Sequence, residues 1–293
     1  IWGSAFIAIK ISVSTINPVS VASLRLIIGG LFLLSFFLYK KYSFNLSFKN
    51  YILIFIIGLI GNFIPFFLIS WSEQYIQSNT AGLLLSVAPI FTLILSHFLT
   101  KDDKFTYLKF LSIFIGLIGV IFIIDFNTII NISSNSSNNI IPKIAIILSA
   151  MGYVVSSILA YNLKDIDTVT LTTFVTIAAA ILSIPFLIYY EINFPSTFTY
   201  NSFFSIIYLG IFPTALAFQL RFYIIAKAGP IFLSYVAYLI PVFAILWGYI
   251  FLGEKVSTNV LIGVLLILSG VFISQKKSSK SLMSQIAEKD ISN

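Results

Sequence analysis

The feature that most constrains this chain is a succession of ten apolar segments, most of them near 20 residues long, separated by short polar breaks. A bilayer core is roughly 30 Å thick and an α-helix rises 1.5 Å per residue, so about 20 apolar residues cross it. Ten such segments in 293 residues could not all be buried inside a soluble protein. We therefore predict an all-α integral membrane protein with ten transmembrane helices. The predicted helices cover residues 1–15, 18–39, 50–72, 79–99, 105–124, 142–162, 168–190, 202–223, 230–252 and 257–274.

Composition supports lipid as the surrounding medium and excludes several kinds of chemistry. Hydrophobic residues make up 59% of the chain and charged residues only 9%, with a mean hydropathy of +1.03, whereas soluble proteins carry roughly 25% charged residues. Cysteine is absent, which excludes disulfide frameworks, thiolate metal sites and cysteine nucleophiles. The net charge of +7 arises between and after the apolar segments, so we predict no nucleic-acid partner.

The distribution of lysines predicts the topology. If the first helix starts in the cytoplasm, twelve lysines fall in cytoplasmic segments and two, Lys143 and Lys255, fall on the other side. This positive-inside bias predicts a multi-pass protein of the inner (plasma) membrane with both termini in the cytoplasm, which requires an even number of helices. The first apolar segment is short for a full span, so we expect that the chain begins inside an N-terminally truncated first helix.

An internal repeat appears when the chain is shifted by 152 residues against itself. Gly58 falls on Gly210, Pro89 on Pro241 and Phe66 on Phe218. Five helices in each half would place the halves in opposite orientations, and such inverted repeats are an architecture of secondary transporters. Duplication retained for packing alone is the alternative. The predicted divisions are a first five-helix repeat at 1–126, an Asn/Ser-rich linker at 127–141, a second repeat at 142–274 and a basic polar cytoplasmic tail at 275–293.

Several motifs resemble those of the EamA-type members of the drug/metabolite transporter superfamily, and the resemblance covers essentially the whole chain. The segment from Trp2 to Lys10 resembles the first-helix motif, and the segment from Ser23 to Arg25 resembles the arginine motif of the second helix. Residues 81–91 resemble the fourth-helix pattern, and residues 238–255, from a Pro-aromatic segment to a Gly-Glu pair, resemble the ninth. The first-half copy departs from this pattern, because Lys101-Asp102-Asp103 stands where the family often has Glu-Arg or Glu-Lys.

This resemblance implies a ten-helix fold with a central cavity between the halves and with movement of small metabolites, but it does not indicate which ones. We predict a secondary transporter, an exporter of small polar metabolites such as amino acids, that works by alternating access. An uptake permease for nucleotide-like or sugar metabolites is the first alternative. A channel lacks support from any filter-like loop, and a membrane-embedded enzyme is disfavoured by the single histidine and the absence of HExxH, GxSxG and P-loop patterns. We expect no cofactor and no catalytic or metal site, and we leave monomer and homodimer open.

Three basic residues fall inside predicted helices: Lys10, Arg25 and Arg221. Charges within a bilayer cost on the order of 2.5–3.5 kcal/mol on insertion scales and usually face a cavity or a partner. The alternative is that their side chains extend to the membrane interface. Lys10 and Arg25 favour an anionic or zwitterionic solute. Carboxylates such as Glu73 stand at helix ends rather than midpoints, which weakens a proton relay through an acid but does not exclude proton coupling.

Polar and aromatic residues inside the helices are further candidates for the cavity wall, since amides and phenols can hydrogen-bond a solute and rings can stack on it. The alternative for each ring is an interfacial aromatic belt. Asn62 and Gln219 are favoured because an amide facing lipid would be unsatisfied. The candidates are Trp2, Asn62, Trp71, Tyr153, Gln219, Tyr223, Tyr235, Tyr238 and Trp247.

Two prolines at matched positions, Pro89 and Pro241, each remove a helical hydrogen bond. We predict that they hinge the fourth and ninth helices during gating. A static kink at each position is the alternative.

Overall fold

A computed structural model describes residues 1–42, 45–76, 78–99, 106–124, 140–252, 258, 261–263, 265–270 and 273. These residues form helices and connecting turns, and no strand occurs among them. The core of the predicted linker at 127–139, the predicted tail at 275–293 and the Gly253-Glu254 motif lie outside the described residues.

The first half begins with two helices joined by a short turn. The second helix starts at Pro18, whose missing N–H costs nothing at that position, and the side chain of Asn17 accepts a hydrogen bond from the Val19 N–H at 3.0 Å. The elements of this half are α1 (Trp2–Val13), α2 (Pro18–Tyr39), α3 (Phe48–Gly58), the π-helix π1 (Leu59–Phe63), α4 (Ile64–Ser72), α5 (Ser78–Leu85), α6 (Ala88–Leu99) and α7 (Tyr107–Ile124).

The second half also has a π-helix in its third apolar segment. Its longest helix is interrupted at Gly229, whose φ of 84° is open to glycine but strained for other residues. The elements are α8 (Ile140–Tyr161), α9 (Thr168–Asn193), α10 (Tyr200–Leu209), the π-helix π2 (Gly210–Leu216), α11 (Ala217–Leu252) and α12 (Leu261–Gly270).

Within the described part of the chain, five helical segments are long and apolar enough to cross a membrane. They are Pro18–Tyr39, Phe48–Ser72, Ile140–Tyr161, Thr168–Asn193 and Tyr200–Ile240. The predicted helix at 50–72 corresponds to α3, π1 and α4, and the predicted break before residue 230 corresponds to the interruption at Gly229. The helix predicted at 79–99 is broken at Ser86 and Val87, which separates α5 from α6. Ten complete spans stay a prediction.

Glycines related by the internal repeat make reciprocal contacts between the halves. A methyl group on Gly119 would lie 2.7 Å from the carbonyl oxygen of Gly263, and one on Gly270 would lie 2.7 Å from that of Ser112. A shift of 151 residues, the one-residue adjustment of the repeat, turns the first pair into the second. Each glycine therefore allows α7 and α12 to approach closely, and both halves use the same positions.

Helix ends from both halves meet at one face, which we call the Thr15 face after the residue at its centre. The Thr197 N–H donates to the Thr15 carbonyl oxygen at 3.0 Å, and the Asn17 N–H donates to Ser196 Oγ at 3.0 Å. The Ser72 hydroxyl donates to the Pro142 carbonyl oxygen at 3.0 Å. These bonds join the end of α1, the start of α2 and the end of α4 to the connection between α9 and α10 and to the start of α8.

Candidate functional site

A cavity lies where helices of both halves converge. It is bounded by α1, α2, α4, α5 and α6 from the first half and by α8 and α11 from the second. The centre of a water molecule can occupy about 110 Å³ of it, whereas a single water needs roughly 10–15 Å³ of such space. The cavity therefore has room for several waters or a small solute. Its wall is mostly apolar, and its polar lining residues are Arg25, Thr92, Tyr153, Ser157, Arg221 and Ser234.

Arg25 reaches this cavity from the second turn of α2 and is only 3% exposed. Its Nε donates a hydrogen bond to Thr214 Oγ1 at 3.0 Å, and its guanidinium carbon lies 3.7 Å from the centre of the Phe66 ring. The ring face stabilises the cation where water is excluded. The hydrogen bond from Nε is the one found for this guanidinium among the described residues. Arg25 therefore retains donors for a bound solute.

The sequence around Pro213 explains why Thr214 is in place. Proline lacks an N–H, so the carbonyl of Leu209, four residues earlier, loses its usual helical donor. The Thr214 hydroxyl donates to that carbonyl oxygen instead, at 2.8 Å, and its lone pair then accepts from Arg25. The same turn presents the Pro213 carbonyl oxygen to the indole N–H of Trp2, 3.1 Å away. The π2 segment thus positions two residues of the cavity wall.

Arg221 enters the cavity from α11 and is 2% exposed. Its Nη2 donates to Ser156 Oγ at 2.6 Å, to Ser157 Oγ at 3.0 Å and to the Tyr153 carbonyl oxygen at 3.1 Å, all on α8. Its guanidinium also lies 5.0 Å from the centre of the Phe218 ring. The buried Nη1 has no hydrogen-bond partner among the described residues. The Nη2 of Arg221 is therefore fixed by hydrogen bonds to α8, whereas its Nη1 keeps unused donors.

The two guanidiniums make the cavity electropositive. No carboxylate is among its lining residues in the described part of the chain. Tyr153, which also lines the cavity, is near enough to interact electrostatically with both Arg25 and Arg221. A buried cation without a counter-ion is costly, since the low-dielectric surroundings do not replace the water it has lost. An anionic group entering the cavity would offset part of that cost at both arginines.

Among the residues predicted from sequence, Trp2, Arg25 and Tyr153 are brought together in this cavity, as is Arg221. Lys10 does not line it. The Lys10 side chain is exposed, and its ammonium donates to the carbonyl oxygens of Glu73 at 2.5 Å and Ile76 at 3.0 Å. Lys10 therefore connects α1 to the turn that follows α4.

The two predicted amides lie outside the cavity lining. Asn62 is 0% exposed within π1, and neither polar atom of its side chain has a hydrogen-bond partner among the described residues. Gln219 is half-buried, and its Nε2 donates to Thr168 Oγ1 at 3.1 Å. Neither amide is therefore at the cavity for which it was predicted, and the buried Asn62 amide has no hydrogen-bond partner among the described residues.

The remaining predicted residues occupy varied places outside the cavity lining. Trp71 lines a second pocket at the Thr15 face and packs on Tyr75, with ring centres 5.2 Å apart. Tyr223 is 51% exposed, whereas the buried Tyr238 donates to the Ile113 carbonyl oxygen at 2.9 Å. Tyr235 is buried beside Tyr238, and Trp247 is half-buried on α11.

The two predicted hinge prolines occupy different positions in their helices. Pro89 is the second residue of α6, directly after the break at Ser86 and Val87, where a missing N–H removes no helical bond. Pro241 lies within α11, and its side chain is outside the described part of the structure. The gating role of both stays a prediction.

Sequence reasoning missed the hydroxyl groups that hold the arginines, namely Thr214, Ser156 and Ser157. A signal for Thr214 was present, because the 152-residue shift places it on Asn62. Both of these residues lie in a π-helix, and such helical bulges occur often at functional sites. The two serines of α8 carry no such signal, since small polar residues are common in membrane helices.

Comparisons with known proteins agree with this architecture. The sequence profile of the EamA-like transporter family matches residues 1–125 and 141–275. An uncharacterized transporter of Archaeoglobus fulgidus is 30% identical over 283 residues, covering 94% of this chain and 95% of its own length. The uncharacterized transporter YoaV of Bacillus subtilis is 25% identical over 281 residues, covering 94% and 92%.

One more relative and one solved structure are also similar to this chain. The uncharacterized inner membrane transporter YedA of Escherichia coli K12 is 26% identical over 260 residues, covering 88% of this chain and 81% of its own length. A crystal structure aligns with a TM-score of 0.74 at 19% identity, covering 93% of this chain and 92% of the aligned chain, which shows a shared fold.

Proposed function

The chain belongs to the EamA-like transporter family, and from that premise we propose that it is a secondary carrier of small anionic or zwitterionic metabolites such as amino acids. As a member of this family it is a multi-pass membrane transporter and not an enzyme. The observation that carries the proposal is the pair of buried guanidiniums, Arg25 and Arg221, at one cavity whose described lining contains no carboxylate. We further propose that the direction is export.

Alternating access is the proposed mechanism. Ten helices arranged as two inverted five-helix repeats, at 1–126 and 142–274, would permit two similar arrangements, each open to one side of the membrane. The reciprocal contacts of Gly119 and Gly270 support this relation between the halves. The matched positions of π1 and π2 support it as well, since a shift of 152 residues superposes them.

The proposed location is the inner membrane, with both termini in the cytoplasm. The distribution of lysines supports this orientation, as does the description of the relative YedA as an inner membrane transporter. In this orientation the Thr15 face is the outer face, because α1 runs outward from the cytoplasm. Its hydrogen bonds then join helix ends of both halves on the outer side of the membrane.

Uptake into proteoliposomes tests the carrier proposal. Purified protein is reconstituted and supplied with labelled L-alanine, L-glutamate, succinate or choline. We expect saturable uptake and counterflow of at least one carboxylate-bearing solute and none of choline. Flux without saturation, conversion of the solute without its movement, or a preference for choline would contradict the proposal.

The arginines make a sharper prediction in the same assay. Arg25→Gln and Arg221→Gln should each raise the apparent KM for the transported carboxylate roughly 10- to 100-fold, because each removes a charged hydrogen bond worth about 1.5–3 kcal/mol. Lys227→Gln is the matched control, since Lys227 is an exposed cation on the same helix as Arg221 and does not line the cavity. An equal effect in all three variants would attribute the change to net charge and would refute the binding role.

A further inference from the structure

Glu73 carries a completely buried carboxyl group and is not among the residues that line the cavity. It directly follows α4 and is 0% exposed. Its Oε1 has no hydrogen-bond partner among the described residues, and its Oε2 accepts one long bond, 3.3 Å from Ser78 Oγ. Ile69, one helical turn earlier, lines the cavity. Glu73 therefore lies next to the cavity on the side of the Thr15 face.

The cations around Glu73 leave its carboxyl unpaired. Lys10 of α1 donates to the backbone carbonyl oxygens of Glu73 and Ile76. Arg25 of α2 acts on the carboxyl electrostatically, and the half-buried Lys143 of α8 follows Pro142, the acceptor for Ser72. No salt bridge to Glu73 is found in the described part of the chain.

Burial decides the protonation of this group. Loss of hydration raises the pKa of the Glu73 carboxyl well above its ordinary value. The hydrogen bond from Ser78 and the charges of Lys10 and Arg25 oppose this rise without cancelling it. The neutral carboxyl is thus the form that suits this buried environment, and the unpartnered Oε1 agrees with that form.

We propose that Glu73 is a proton-binding site whose occupancy is linked to the binding of an anion at Arg25. The inference rests on the proposed function, since it assigns a coupling ion to that cavity. Arg25 is shared: its charge stabilises the ionised Glu73 and would equally stabilise a bound carboxylate. When the anion binds, that stabilisation of the ionised form weakens, so the bound anion favours the protonated Glu73 that the solute-free protein already holds.

Linkage is reciprocal, so protonation of Glu73 strengthens anion binding by the same factor. The proton and the anion therefore bind together and move in the same direction. For a solute with one net negative charge, the proton cancels the charge that crosses the membrane. Transport of such a solute then responds to the pH gradient and is insensitive to the membrane potential, and export down the solute's own gradient carries the proton outward with it.

Infrared spectroscopy of the purified protein tests the site without any solute. We expect the wild type at neutral pH to show the absorbance of a protonated carboxyl that Glu73→Gln lacks. Glu191→Gln is the matched control and should keep the band, because both oxygens of Glu191 already accept hydrogen bonds, from Ser196 and Ser20. Identical neutral-pH spectra for the wild type and Glu73→Gln would overturn the proposal.

Titration of the same band tests the link to Arg25. Removing a nearby positive charge destabilises the carboxylate, so Arg25→Gln should shift the midpoint upward on the pH axis. Arg221→Gln should shift the midpoint less, because the cations that act most strongly on Glu73 are Lys10 and Arg25. If Arg25→Gln does not fold, Lys10→Gln replaces it with the same expected direction. An unchanged midpoint with Arg25→Gln or Lys10→Gln, or an equal shift with Arg221→Gln, would overturn the link.

The proton-site proposal and the carrier proposal can be refuted separately by these measurements. Saturable carboxylate counterflow with an ionised Glu73 would refute the proton site and leave the carrier intact. A titrating Glu73 in a protein that moves no carboxylate would refute the carrier and, with it, the coupling.

Discussion

A guanidinium buried in a membrane protein is stable only when its donors find acceptors or its charge finds a favourable environment. Arg25 has one acceptor, Thr214, and one ring face, Phe66. Arg221 has three acceptors on α8. Each arginine is thus held by one edge while other donors stay unused, which is the arrangement that a binding site for anions requires.

Substitution at Thr214 tests whether that hydroxyl positions Arg25. Thr214→Val keeps the shape and removes both hydrogen bonds of the hydroxyl, so it should lower the free energy of unfolding by roughly 1–3 kcal/mol, the cost of an unsatisfied buried donor. Denaturation in mixed micelles measures it. Thr176→Val is the matched control and should be nearly neutral or stabilising, because the buried Thr176 hydroxyl has no hydrogen-bond partner among the described residues. Equal losses in both variants would contradict the assignment.

At the residue scale, sequence reasoning identified several residues of the cavity wall but not the direction in which other side chains point. Position within an apolar segment indicated that Arg25 and Tyr153 lie inside the membrane, and both line the cavity. Helices that are apolar on every side show little periodicity in hydrophobicity, so the same reasoning could not show that Lys10 points away from the cavity. It also placed Glu73 at a helix end without showing that the turn after α4 buries this residue fully.

At the scale of elements, the two π-helices set the geometry of the cavity. π2 presents Pro213 and Thr214 to side chains from α1 and α2. π1 brings Gly61 against α8, where Ser156 holds Arg221. The sequence contains the prolines and glycines of these segments, but apolar periodicity alone predicts one uniform helix in each place.

Gly61 offers a test of π1. A methyl group at this position would lie 2.3 Å from both Cβ and Oγ of Ser156, a short side chain that has little freedom to move away. Gly61→Ala should therefore displace Ser156, weaken its bond to Arg221, and cost on the order of 1–3 kcal/mol of stability, with reduced transport. Thermal unfolding and proteoliposome uptake report the two effects.

Gly30→Ala is the control for this substitution. The nearest atom to an added methyl group there is 3.6 Å away, an ordinary contact, and alanine favours a helix over glycine by roughly 0.5–1 kcal/mol. We expect Gly30→Ala to match or exceed the wild type in stability. A loss at Gly30 as large as that at Gly61 would show that close packing at π1 is not the cause.

At the scale of the whole molecule, an all-helical membrane protein and its family were predictable from sequence, because ten apolar segments and a few spaced motifs are enough to indicate both. The cavity was expected only from the resemblance to the family. Its wall combines residues far apart in the chain, such as Trp2 and Phe218, whose meeting depends on helix packing that apolar composition does not encode.

Alternating access requires that one cavity opens to each side of the membrane in turn. The absence of native cysteine allows a direct measurement, because a single introduced thiol is the only one present. Ala237→Cys places it in the cavity wall, and Ala22→Cys places it in the 0% exposed core as a control. An impermeant thiol reagent is added to right-side-out and to inside-out vesicles. Alternating access predicts that Ala237→Cys reacts in both preparations while Ala22→Cys reacts in neither; reaction of Ala237→Cys from one side only would refute alternating access.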